Sequence, residues 1–134
     1  MYFVLDATIT AAWAMPGEGN ELADSLLSMV QLDGAVVPMV WWYEIRNILS
    51  LAERRHRITA ADALAFLKHL DFLDIKMREL GEGKELMRLA RVHQLSVHQA
   101  AYLELALREN LPLATLNRDL AMAAVKESVP PIAL

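Results

Sequence analysis

The chain has 134 residues, 55% of them hydrophobic, with a formal net charge of −4 and no cysteine. That length suits one domain with a substantial core, and the apolar content excludes a disordered chain. The missing cysteines exclude disulfides, thiolate metal sites and cysteine nucleophiles, and fit a reducing, cytoplasmic compartment. The acidic balance means that the molecule as a whole does not attract nucleic acid; any handling of RNA needs metal ions or a local basic patch. The start, MYFVLDATITAAWAM, has no basic region and carries Asp6 within its apolar run, so it is not read as a signal peptide. No apolar run is long enough to span a membrane.

Taken in chain order, Tyr2 to Leu5 is an aromatic and β-branched run that reads as a buried strand ending at Asp6. Thr8 to Met15 reads as a helix stopped by Pro16-Gly17. Asn20 caps a helix expected through Gln31, with Leu22, Leu26, Leu27 and Val30 on its apolar face. Asp33-Gly34 makes a turn into a second strand, Ala35 to Val37. Pro38 is expected to open a long helix through Arg57, and Thr59-Ala60-Ala61-Asp62 a capping box that starts the helix ADALAFLKHL. Asp74 to Met77 is the third strand, followed by a helix from Glu82 to His93. Ser96-Val97-His98-Gln99 is a second capping box, opening a helix through Asn110. Leu113 to Thr115 is the fourth strand and Arg118 to Lys126 the last helix; Pro130-Pro131-Ile132-Ala133 is read as an added edge strand. Strands that are continuous apolar runs, alternating with helices, predict a three-layer α/β/α sandwich with a short, mostly parallel sheet in a single domain.

Four polar residues fall where such a sheet gathers its chemistry, at strand ends and first helical turns. They are Asp6, Glu44, Gln99 and Asn117. Each also has a plain structural task. Asp6 and Asn117 can cap helices, Gln99 can complete the box with Ser96, and Glu44 suits the positive end of its helix. Asp119 suits the dipole of the last helix, His98 reads as an exposed first-turn residue, and the cluster ERRHR complements a helix C-terminus. Trp41, Trp42 and Tyr43 are consecutive, so they cannot all face inward, and at least one reaches a surface or a partner. The high apolar content means an unusually full core or a face buried against another chain. With the crowded aromatics, it leads to the expectation of a homodimer.

The chain resembles the PIN-domain ribonucleases, in particular the VapC-type toxins of bacterial toxin–antitoxin pairs. The matching stretches are VLDAT at the first strand, EIRN in the long helix, LSVHQAAYLELAL at the penultimate helix and LPLATLNRDL at the last corner, in order along nearly the whole chain. The resemblance implies a small parallel sheet between helices, Mg²⁺ or Mn²⁺ held by acids, hydrolysis of RNA, pairing with a second copy, and a VapB-like antitoxin seated in an apolar groove. It places the first acid at Asp6 and the second at Glu44. The third and fourth acid positions hold Gln99 and Asn117 here, so the expected site is correctly shaped but undercharged. Asp119 is the candidate to make up the charge, with Glu104 further along the helix of Gln99. Thr8, Arg46 and Arg118 are candidates for phosphate contacts.

Amide oxygens can coordinate Mg²⁺ or Mn²⁺ but bring no charge, and metal-assisted hydrolysis needs charge as well as geometry. Three readings follow: a metal-dependent endoribonuclease with a sparse metal site, an impaired domain that binds an antitoxin or RNA without cutting, and a structural dimerisation module. The last predicts no concave acidic pocket.

Overall fold

The computed structural model describes residues 2–133. Its strands are β1 (Val4–Leu5), β2 (Ala35–Pro38), β3 (Ile75–Arg78) and β4 (Leu113–Ala114). Its helices are α1 (Ala7–Ala14), α2 (Glu21–Asp33), α3 (Met39–Arg54), α4 (Ala60–Asp71), α5 (Gly83–His93), α6 (Val97–Glu109) and α7 (Arg118–Lys126). The strands form one sheet in the order β3-β2-β1-β4, and every pair is parallel. Helices α1 to α4 pack on one another, as do α5 to α7, with the sheet as the common floor. This is the α/β sandwich that the alternation of elements predicts. Among the described residues, no helix is long and apolar enough to cross a membrane.

Apolar continuity explains the sheet. Phe3, Val4, Leu5, Ala35, Val36 and Val37 are all fully buried, as strands covered on both faces must be. Side-chain caps explain where the helices begin. Asn20 Oδ1 accepts the Ala23 N–H at 3.0 Å, and the boxes Thr59–Asp62 and Ser96–Gln99 both close with reciprocal bonds. Helix α2 ends at Gly34, which sits at φ 80 and donates its N–H to Val30 O. A Cβ there would meet Asp74 O at 2.6 Å, so glycine lets the strand beginning at Ala35 lie against the segment entering β3.

Several boundaries differ from the sequence reading. Helix α3 stops at Arg54 rather than Arg57, because His56 takes a φ of 55 and the Arg57 N–H turns back to Ala52 O. Pro38 ends β2, pairing with Arg78, and α3 starts one residue later. The first and last strands are trimmed to Val4–Leu5 and Leu113–Ala114. The segment Pro130–Ala133 is not a strand. Its two prolines have no N–H to give a ladder, and Ile132 packs on the core from a loop.

The strand order fixes where chemistry can sit. The chain steps outward from β1 to β2 to β3, then crosses back to place β4 on the far side of β1. Parallel sheets open a crevice at such a reversal, beyond the carboxyl ends of the strands. Here those ends are Asp6, after β1, and Thr115, after β4.

Candidate active site

Asp6 follows β1 and caps α1, and it is 2% exposed. Its Oδ1 accepts the Thr8 hydroxyl at 2.7 Å and the Ile9 N–H at 3.0 Å. Its Oδ2 accepts the Thr115 hydroxyl. Thr115 arrives there because Leu5 pairs with Ala114 and the Asp6 N–H donates to Ala114 O, so the two strands deliver consecutive corners side by side. Burial pushes the Asp6 carboxyl above its ordinary value, while its three donors pull the other way. The corner is braced further: Thr8 Oγ1 accepts the Leu116 N–H at 2.8 Å, and Thr115 Oγ1 accepts the Asn117 N–H at 2.9 Å.

Glu44 lies in the second turn of α3, which leaves the neighbouring strand β2. It is half-buried, and its Oε1 accepts the hydroxyl of Tyr102 from α6. Tyr102 is 3% exposed. Its phenol is pushed far up, first by burial, then by the bond to Glu44 and the negative charges of Glu44 and Asp6. The phenol therefore keeps its proton and acts as a donor. The negative charge of Asp6 is also felt at the Tyr102 phenol.

The remaining sequence candidates take other places. Gln99 is three residues before Tyr102 on α6, hence on the same face, but its Oε1 accepts the Ser96 N–H at 3.0 Å. Asn117 Oδ1 accepts the Leu120 N–H at 2.9 Å and caps α7. Thr8 is bonded to Asp6 and to the backbone of Leu116. Asp119 is exposed and lines a cleft with Val92, His93, Gln94, Met122 and Lys126. Glu104 is buried and paired with Arg108 at 2.9 Å, beside the loop at Gly81. Arg46 lies 3.7 Å over the Trp42 ring and lines an apolar groove with Leu67, Leu70 and Ile75, away from Glu44. Arg118 is exposed in the turn after Asn117. Among the described residues, no group of three or more His, Cys, Asp or Glu could hold a metal ion.

A cavity of about 400 Å³ opens beside Glu44, lined by Val40, Tyr43, Glu44, Asn47, Ile48 and His98. Asp6, Gln99 and Asn117 do not line it. The sequence reading missed Tyr102 and Thr115. Their signals were present: Thr115 follows the fourth strand, and Tyr102 shares a face with Gln99.

A PIN domain family model matches residues 3–126 of the chain. The chain is 34% identical over 128 residues to Ribonuclease VapC3 of Pyrobaculum aerophilum, covering 90% of this chain and 93% of that protein. Among solved structures, the protein PAE2754 of Pyrobaculum aerophilum superposes with a TM-score of 0.74 at 23% identity, over 92% of this chain and 84% of that one. A toxin–antitoxin complex from Klebsiella pneumoniae superposes with a TM-score of 0.62 at 17% identity, over 89% and 90%.

Proposed function

The chain belongs to the PIN domain family, and on that premise we propose that it is a metal-dependent endoribonuclease of the VapC type whose acid site is reduced to two carboxylates. The observation that carries this reading is a pair of anchored carboxylates, Asp6 bonded by Thr115 at the reversal of strand order and Glu44 bonded by Tyr102, whose phenol feels the negative charge of Asp6.

The donor set is sparse but usable. Magnesium is commonly held by one or two carboxylates, completed by water and substrate phosphates. Asp6 Oδ2 and Glu44 Oε2 retain acceptor capacity beside their present bonds. The amide oxygens of Gln99 and Asn117 are turned to their own helices. The two carboxylates fit one weakly held Mg²⁺ or Mn²⁺, completed by water. When bound, such an ion supplies Lewis-acid polarisation of the phosphate and a water of lowered pKa.

The chain's own groups supply orientation. Thr8, Ile9 and Thr115 give Asp6 three donors, which hold it in one rotamer and favour its ionised form against burial. Tyr102 fixes Glu44 by one oxygen, leaving the other toward the cavity and solvent to orient an attacking water. Arg118, exposed beside Asn117, is the cation placed to meet an RNA phosphate. Two negative charges fewer than a four-acid site means weaker metal binding and slower cleavage, and also less repulsion of the RNA backbone.

The same reading gives the chain a cytoplasmic setting, a VapB-like antitoxin as partner and a second copy of itself. The fold likeness to a toxin–antitoxin complex and the exposed apolar Trp42 and Met77 support it. The test is RNA cleavage by the native chain, Asp6→Ala and the double variant Gln99→Asp with Asn117→Asp. Slow native cleavage in Mn²⁺, lost in Asp6→Ala and raised in the double variant, is the expected outcome. No cleavage by any of the three overturns the nuclease reading.

A further inference from the structure

We propose that the cavity beside Glu44 seats a single unpaired RNA base, stacked on Tyr43 and met at its edge by Asn47 and His98. The inference rests on the ribonuclease reading and adds to it a nucleobase subsite next to the scissile phosphate.

Four observations point the same way. Tyr43 is 69% exposed, although it stands between the buried Trp41 and the core of α3, so packing does not account for its aromatic ring. The ring is braced on one side: it meets Trp42 edge to face, with centroids 5.0 Å apart and planes at 71°, and Arg46 covers Trp42 in turn. A ring held in place loses little entropy when a ligand stacks on it. The cavity has apolar walls in Val40 and Ile48 and polar side chains in Asn47 and His98. An amide and an imidazole each present a donor and an acceptor, the groups that match base edges.

Charge selects which part of a nucleotide enters. The wall carries the carboxylate of Glu44 and no lysine or arginine, so a phosphate is repelled from the cavity and a neutral flat ring is not. The phosphate is left outside the cavity. The base must be unpaired, because bases inside a duplex are stacked on one another and cannot offer a face to Tyr43. The chain therefore prefers single-stranded segments of its RNA.

The test is fluorescence anisotropy of the full chain with a labelled short single-stranded oligoribonucleotide in buffer without divalent ions, so that binding is read without cleavage. The variants are Tyr43→Ala, Tyr43→Phe and Asn47→Ala with His98→Ala, and the competitors are the same RNA as a duplex and with one abasic position. Native chain is expected to favour the single strand over the duplex. Tyr43→Ala is expected to bind about fivefold to a hundredfold more weakly, the range for loss of one aromatic stack, with Tyr43→Phe close to native. Asn47→Ala with His98→Ala is expected to flatten preference among the four bases. No single-strand binding by the native chain, or equal affinity in Tyr43→Ala, overturns the proposal. Cleavage is scored separately: a chain that never cleaves yet loses affinity in Tyr43→Ala contradicts the nuclease reading alone.

Discussion

Tyr102 and Glu44 lie on different helices, and the tyrosine hydroxyl donates to the glutamate carboxylate. The contact ties α6 to α3 and fixes one of the two carboxylates of the proposed site. Its donor is buried and cannot ionise near neutral pH, since burial and two neighbouring negative charges oppose it.

Tyr102→Phe removes the donor and keeps the ring. Glu44 is half-buried, so water can replace much of the lost bond. We expect a stability loss of about 0.5–1.5 kcal/mol by urea denaturation. Cleavage should fall more than stability implies, by roughly tenfold, the effect of about 1.4 kcal/mol of lost positioning. Equal cleavage in native and variant protein would show that Glu44 needs no such support.

Asp6→Asn should stabilise the fold while removing cleavage. Burial raises the Asp6 carboxyl above its ordinary value of 3.8. A raised acid costs nothing below its unfolded pKa, and the cost sets in as pH rises through 3.8 and the raised folded value. Asparagine keeps the cap on α1. The expected result is a higher Tm than native at pH 7 without divalent ions, with the difference shrinking as pH falls towards 4. A lower Tm at pH 7 would refute it.

At the other end of the molecule, Glu127 joins Arg88 at 3.1 Å and His93 at 2.6 Å, linking the end of α7 to α5. The Arg88 hydrogen bond, then that of His93, holds its carboxyl below its ordinary value of 4.5. A lowered acid stabilises above its unfolded pKa, and that stability is lost as pH falls through the lowered folded value. Glu127→Gln should therefore melt below native at pH 6 and converge with it as the pH falls through the lowered folded value. Parallel melting curves down to acid pH would deny the linkage.

Much of this was legible in the sequence, because it is local. The capping boxes Thr59–Asp62 and Ser96–Gln99, the caps at Asn20 and Asn117, and the apolar strand runs each depend on residues a few positions apart. The strand and helix pattern put Asp6 at the end of the first strand and Glu44 early in the long helix, and the structure has them there, after β1 and in the second turn of α3. Thr115 bonding Asp6 and Tyr102 bonding Glu44 were not legible. Those pairs lie 109 and 58 positions apart, and only the crossing of β4 to the far side of β1 makes the first of them neighbours. The tail Pro130–Ala133 was misread because apolar character was weighed above the missing N–H groups.

On the proposed reading, two carboxylates hold one divalent ion weakly because Gln99 and Asn117 bring no charge. Calorimetric titration of Mn²⁺ into the native chain and into Gln99→Asp with Asn117→Asp tests it most directly. Both replacements leave the helix starts intact: aspartate caps as well as asparagine, and Asp62 already completes the box at Thr59. The account predicts one weak site in the native chain, absent in Asp6→Ala, and at least tenfold tighter binding in the double variant. Tight native binding of two ions, or no gain in the double variant, would contradict it.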